Sequence, residues 1–283
     1  MADIISLQYD YCFKHLFLNE NIRRYFVSDA LGLPLEEIRS VRLANPYLWK
    51  RFRQQKQGIL DVIIELNDDR KVNVELQIKM ISHWDRRSLF YLSKMYTEDL
   101  LIGQKYYRLR KCISINILGF NLDDRPEYHK VYRLRDETGH EYSDMLEIRV
   151  IELNKPLNGT DPMDDWIRLF NAKTEEELDM LQTTTKNRGI LEAIKEVRIM
   201  NLGKTMRALY EGHMKQIRDQ YARDEYVRTE GIEQGMEQGI EQGMEQVNRL
   251  NLRLIEDNRL EDLKRAAEDK TYLEKLLKEY GIR

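Results

Sequence analysis

The stretch Gly58 to Lys79, GILDVIIELNDDRKVNVELQIK, constrains this chain more than any other. Two runs rich in Val, Ile and Leu flank Asn67-Asp68-Asp69, residue types that tolerate the left-handed backbone of a tight turn, so the stretch reads as a β-hairpin. In the second run Val72, Val74, Leu76 and Ile78 alternate with Lys71, Asn73, Glu75, Gln77 and Lys79. A period of two predicts one buried and one solvated face. The first run supplies the matching apolar set, Leu60, Val62, Ile64 and Leu66, with Asp61 and Glu65 on the other parity. The two apolar sets share a face only if paired positions have the same parity, which requires an odd number of loop residues. A loop of Asn67, Asp68 and Asp69 meets that condition and sets Asp61 opposite Glu75. Facing residues have Cβ atoms roughly 4.5–5.5 Å apart, so two carboxylates there repel unless a cation lies between them.

A divalent ion is the natural cation. Mg²⁺ takes oxygen ligands and is commonly held by one or two carboxylates, with water and substrate phosphate completing its shell. Gln77 and Lys79 share the face of Glu75, within reach of a phosphate or an attacking water. A second reading needs no ion: the hairpin is half solvated and its outer face is polar for that reason alone.

The 283 residues exceed one ordinary domain, which predicts a sizeable domain plus an appendage. Charged residues make up 34% of the chain, yet the net charge is only -3, so nucleic-acid binding requires local basic patches. Lys50, Arg51, Arg53 and Lys56 form one such patch; Lys105, Arg108, Arg110 and Lys111 form another. Cys12 and Cys112 have no partner at metal-ligand or redox-motif spacing, and the five histidines are scattered. With no apolar run of membrane length and no signal-like amino terminus, no membrane association and a reducing cytoplasm are expected.

Around the hairpin, Tyr9–Leu18 reads as a helix with Phe13, Leu16 and Phe17 on one face and Asp10 and Lys14 on the other. Asp10 is either an N-cap or a further acid near the metal, and Lys14 is placed to meet a phosphate. A second helix runs from Asn21 to Leu31, where Gly32 and Pro34 stop it. Residues 85–101 read as a helix with Leu89, Leu92, Tyr96 and Leu100 on one face and Arg87, Tyr91, Lys94 and Glu98 on another. Arg87 and Lys94 are nucleic-acid contact candidates. Strands follow at 112–120, 129–134 and 145–153. The order predicts an α/β fold, a mixed sheet flanked by helices.

An Asp opening one strand and Glu-x-Gln in the next resembles the PD-(D/E)XK nuclease motif, with Gln77 where Lys is usual. The resemblance extends along the chain through D-Y-C-F-K-H-L-F at 10–17, I-L-D with V-E-L-Q, R-S-L-F-Y-L-S-K-M-Y, I-S-I-N-I-L-G-F-N-L, Y-H-K-V-Y-R-L-R-D and L-E-I-R-V-I-E-L. In this order the segments resemble the PD-(D/E)XK nuclease family transposases of bacteria, also called recombination-promoting nucleases or Rpn proteins. The resemblance implies a restriction-endonuclease-like fold and a Mg²⁺-dependent DNA endonuclease linked to recombination, mobile elements or phage defence, with Mn²⁺ as an alternative ion. Carried over residue by residue, Asp61 and Glu75 match the metal-binding acids, joined by the Leu76 carbonyl. Gln77 supplies a dipole where the motif has a fixed charge, and Lys79 or Lys14 is expected to supply that charge. The other class of function is a weak or inactive nuclease-fold module that binds nucleic acid or protein.

The expected organisation is a nuclease-like domain over 1–155, a linker with short helices over 156–188, and a helical region over 189–283. Two prolines and a glycine in 154–162 mark the first boundary, and Thr174 with Glu177 has the form of a capping box. From Ile232 to Gln246 the sequence repeats I-E-Q-G and M-E-Q-G. Four residues advance a helix by about 400°, so Ile232, Met236, Ile240 and Met244 drift about 40° per repeat along one slowly turning stripe. Gly235, Gly239 and Gly243 each cost about 1 kcal/mol in an isolated helix. A second copy packed along that stripe would offset the cost, which predicts a homo-oligomer; the competing reading is a flexible charged linker.

Overall fold

Two helices, α1 (Asp10–Leu16) and α2 (Glu20–Leu31), come first. Asn19 starts α2 by accepting from the Asn21 and Ile22 N–H groups, and Gly32 ends it at φ 66°, which a residue without a Cβ adopts without steric cost. Strand β1 (Val41–Ala44) and the short pair β2 (Tyr47–Leu48) and β3 (Gly58–Ile59) precede the hairpin of β4 (Val62–Leu66) and β5 (Lys71–Gln77). Helix α3 (Trp84–Thr97) then leads to β6 (Cys112–Leu118), β7 (His129–Arg135) and β8 (Glu141–Glu152). This is a computed structural model, and it describes residues 4–282 apart from 39, 45, 46, 49–57, 60, 67–69 and 99.

Six strands form one mixed sheet in the order β1-β4-β5-β6-β8-β7. Val62 faces Val74 and Glu65 faces Lys71, and the Leu66 N–H donates to the Arg70 carbonyl at 2.9 Å. Residues 67–69, read as the loop, lie outside the described residues; one step beyond the Val62–Val74 pair, the same register would set Asp61 opposite Glu75. Beyond the hairpin, β5, β6 and β8 run parallel, and β7 returns antiparallel on β8.

The parallel step from β5 to β6 corrects the expected solvated face. Parallel neighbours need a long crossover, usually a helix, and here α3 supplies it. It covers the polar side of the hairpin: Tyr91, Leu92 and Met95 pack with Ile63 and Cys112, and Trp84 packs with Leu118 and Val150. Lys71, Asn73 and Glu75 are therefore buried. The inward stripe of α3 is Trp84, Ser88, Tyr91, Leu92 and Met95, whereas Leu89, expected on the apolar face, is exposed. The opposite face of the sheet, with Val74 and Ile115, lies under α2, where Arg149 donates to the Ala30 carbonyl.

The chain divides into two compact units, 1–209 and 210–283, so the first extends past the boundary expected at 155. Helices α4 (Met163–Asn171), α5 (Glu175–Thr184) and α6 (Arg188–Leu202) belong to it. Trp166 meets Phe26 edge-on with centroids 5.2 Å apart, and its Nε1 donates to Asp29 at 2.7 Å. Phe13, Phe17 and Phe170 complete a buried aromatic cluster in which a Phe→Ala change typically costs about 3–5 kcal/mol. The Thr174–Glu177 capping box forms as read. In the second unit, α8 (Leu260–Glu268) and α9 (Lys270–Glu279) pack with Leu250 and Leu254 from the end of α7 (Lys204–Glu256).

Candidate active site

The hairpin brings two acids to one end of β5. Asp61 stands just ahead of β4, and its Oδ2 accepts from the Leu76 N–H at 3.0 Å. Neighbouring N–H and C=O groups of one residue in an extended strand face the same side, so the Leu76 carbonyl also faces the Asp61 side. Glu75 is 5% exposed, and its Oε1 lies 3.2 Å from an Arg87 nitrogen of α3. Arg87 in turn lies over the Tyr91 ring, 5.0 Å from its centroid.

Burial raises the pKa of Asp61, against the opposing effects of the Leu76 N–H and Lys14. Burial likewise raises that of Glu75, the nearby charge of Asp61 adds to it, and Arg87 opposes both. Lys14 of α1 bridges two acids, with its Nζ 2.8 Å from Asp10 and 3.2 Å from Asp61. Burial disfavours its ammonium, but the Asp10 hydrogen bond and the Asp61 charge win and raise its pKa. Arg23 anchors the helix that carries Lys14: its guanidinium donates to the Phe17 and Leu18 carbonyls at 2.6 and 2.8 Å and to the Val41 carbonyl at 2.9 Å.

The structure thus brings together Asp10, Lys14, Asp61, Glu75, Leu76 and Arg87. Gln77 follows on the same strand, but its Nε2 donates to the Lys79 carbonyl at 2.8 Å, which ties the motif amide to the strand end. The Lys79 side chain is exposed beyond β5. Gly119 lets β6 close on this strand end, since a Cβ there would stand 2.7 Å from the Ile78 carbonyl oxygen. Lys94 lies two turns beyond Arg87 on α3, about 10 Å away by helical rise, and is outside the cluster. Arg51, Arg53 and Lys56 fall outside the described residues. In the second basic patch, Arg110 pairs with Glu65 and Lys111 with Asp144, each at 3.2 Å.

Sequence reading placed Arg87 on a nucleic-acid surface and missed its pairing with Glu75. The parallel crossover is the signal that could have found it, because it carries the first turns of α3 over the end of β5. It also missed Asn73, two residues before Glu75 on the same face, whose side chain hydrogen-bonds that carboxylate.

These donors fit a hard divalent ion. Two carboxylates are the usual protein share of a Mg²⁺ site, and the Leu76 backbone adds oxygen chemistry. Asn73 Oδ1 is buried beside Glu75 without a hydrogen-bond partner. Among the described residues no group of three or more His, Cys, Asp or Glu side chains is placed to hold a metal, so the fit rests on the acid pair. A cavity of about 650 Å³ between α4 and α5, lined by Leu153, Ile167, Met180 and Leu181, holds none of the predicted site residues.

A mixed sheet whose hairpin carries an acid from each strand, flanked by helices, is the fold of a PD-(D/E)XK nuclease-like protein. Residues 7–226 match the family described as PD-(D/E)XK nuclease family transposase, and the chain belongs to that family. Neither a curated protein nor a solved structure matches it.

Proposed function

We propose that this chain is a Mg²⁺-dependent DNA endonuclease that hydrolyses phosphodiester bonds, serving recombination, mobile elements or phage defence, with Mn²⁺ able to substitute. The observation that carries the reading is the Asp61–Glu75 pair, a half-buried and a buried acid brought to one end of β5, each met by a cation of its own chain. Burial of the polar face counts against a merely solvated hairpin, because desolvated carboxylates raise the free energy of the fold unless they serve a charge.

In this reading Asp61, Glu75 and the Leu76 carbonyl hold the ion, which when bound polarises a phosphate oxygen and lowers the pKa of a water. Gln77 orients the attacking water. Lys14, held at the site by Asp10 and Asp61, supplies the positive charge that Gln77 lacks, and exposed Lys79 adds to it at the rim. Arg51, Arg53, Lys56, Arg87 and Lys94 contact the DNA backbone without reading sequence. No helix among the described residues is long and apolar enough to cross a membrane, and the composition suits a protein of the cytoplasm.

Self-association belongs to the same proposal. Ile232, Met236, Ile240 and Met244 are all exposed on α7, and a Cβ on Gly235, Gly239 or Gly243 would meet nothing within 4 Å. A second copy of the chain along that stripe would bury what one copy leaves open.

The test is nicking of supercoiled plasmid across a Mg²⁺ titration, with Asp61→Ala in parallel. Activity that persists in the variant sinks the reading. One observation favours the alternative of a binding module with weak chemistry, namely the Gln77 amide engaged with the Lys79 carbonyl; it predicts plasmid binding without nicking at any Mg²⁺ concentration.

A further inference from the structure

We infer that Arg87 is an exchangeable counter-ion, bound to Glu75 while no metal is present and handed to a phosphate when a divalent ion takes that carboxylate. This rests on the nuclease reading and adds to it a means by which phosphate binding depends on metal. The guanidinium holds Glu75 through one contact, Nη2 to Oε1 at 3.2 Å, and its Nε is buried with no hydrogen-bond partner. A bidentate arginine–carboxylate fork is the strong form of this pair, and an orphaned buried donor costs about 1–3 kcal/mol. The grip is therefore the weaker, partly satisfied form.

Its surroundings allow the exchange. The Arg87 side chain is 38% exposed whereas that of Glu75 is 7% exposed, so the arginine side chain reaches solvent where the carboxylate does not. The Tyr91 ring beneath it keeps a cation near the site after the carboxylate is given up. A phosphate presents two oxygens in the spacing of a guanidinium edge, the geometry that satisfies Nε and Nη2 together. A metal ion and Arg87 compete for Glu75, and by linkage whatever weakens the pair frees the arginine for an anion.

The exchange gives opposite signs to two variants of the full chain, read by calorimetry with Mg²⁺ and with inorganic phosphate as separate probes. Arg87→Gln removes the competitor, and Mg²⁺ should bind roughly three- to tenfold more tightly than to wild type. Glu75→Gln frees the guanidinium, and phosphate should bind several-fold more tightly than to wild type with no metal added. The double variant should lose that gain. Far-UV circular dichroism confirms that each variant is folded.

If Arg87 merely orients Glu75, Arg87→Gln binds Mg²⁺ as wild type does or more weakly, and the exchange is wrong while the nuclease reading stands. Unchanged phosphate affinity in Glu75→Gln also overturns the exchange alone. Wild type with no Mg²⁺ binding overturns the nuclease reading, and the exchange falls with it.

Discussion

The Leu76 N–H donates to the Asp61 carboxylate at 3.0 Å, so the residue between Glu75 and Gln77 fixes the acid that stands just ahead of the facing strand. This bond aims Asp61 along the end of β5 and holds it against the repulsion of Glu75. Asp61→Ala or Glu75→Ala should remove Mg²⁺-dependent nicking while circular dichroism stays that of the parent. Both carboxylates are held above their ordinary pKa by burial, so their removal relieves desolvation as it breaks a contact. Unimpaired nicking by either variant would move the chemistry elsewhere.

Lys14 makes a different prediction, because it is a compact charge between two acids. Lys14→Ala should lower the nicking rate by about 10², the scale of one electrostatic donor aimed at developing charge. Its ion pairs are partly exposed, so the unfolding free energy measured in urea should change by no more than about 1 kcal/mol. A rate within twofold of wild type would remove Lys14 from the mechanism.

Glu147 of β8 is 2% exposed and sits between Arg133 and Arg149, at 2.8 and 2.5 Å. Burial works to raise its pKa, yet hydrogen bonds from the two arginines prevail and lower it. A depressed folded pKa contributes stability above the unfolded value of about 4.3, and that contribution is lost as pH falls through the folded value. Glu147→Gln should therefore be less stable than wild type by about 3–5 kcal/mol at pH 7, with the gap closing in acid. A gap independent of pH between neutrality and pH 3 would contradict this.

Gly119→Ala tests the close approach at the strand end. The new Cβ would meet the Ile78 carbonyl oxygen at 2.7 Å and its Cα at 2.9 Å, both backbone atoms, so the end of β5 must shift. Overpacking of this kind costs about 1–3 kcal/mol. Thermal denaturation should show that loss, together with slower nicking as Gln77 moves; wild-type behaviour in both would mean the two strand ends separate freely.

The exposed stripe on α7 predicts assembly. Removing residues 228–283 should lower the mass measured by light scattering, and polar replacement of Ile232, Met236, Ile240 and Met244 should do the same. An unchanged mass would leave the stripe without a partner of its own kind.

Local chemistry made much of this molecule legible in its sequence. Alternation at 62–66 and 71–77 set the hairpin, parity set its register, and Gly32 and Thr174 marked helix ends, because each of these depends on neighbours in the chain; the start of the second helix, read at Asn21, lies at Glu20 with Asn19 as its cap. Asp61 and Glu75 could be paired in advance for the same reason: in a hairpin, facing positions follow from loop length. The repeat at 232–246 announced an apolar stripe, though not what covers it. Tertiary structure alone decided the rest. Whether the polar side of β5 met water or a helix depended on β6 lying parallel beside it, since only a parallel neighbour brings a crossover such as α3. That crossover buried Glu75, turned Tyr91 inward and Leu89 outward, and brought Arg87 to the acid. Likewise Arg110 and Lys111 look like free basic residues in sequence, yet Glu65 and Asp144 reach them from other strands. Periodicity reports which residues share a face; contact between distant segments sets what that face meets, and so whether its charges are solvated, paired or held ready for a ligand.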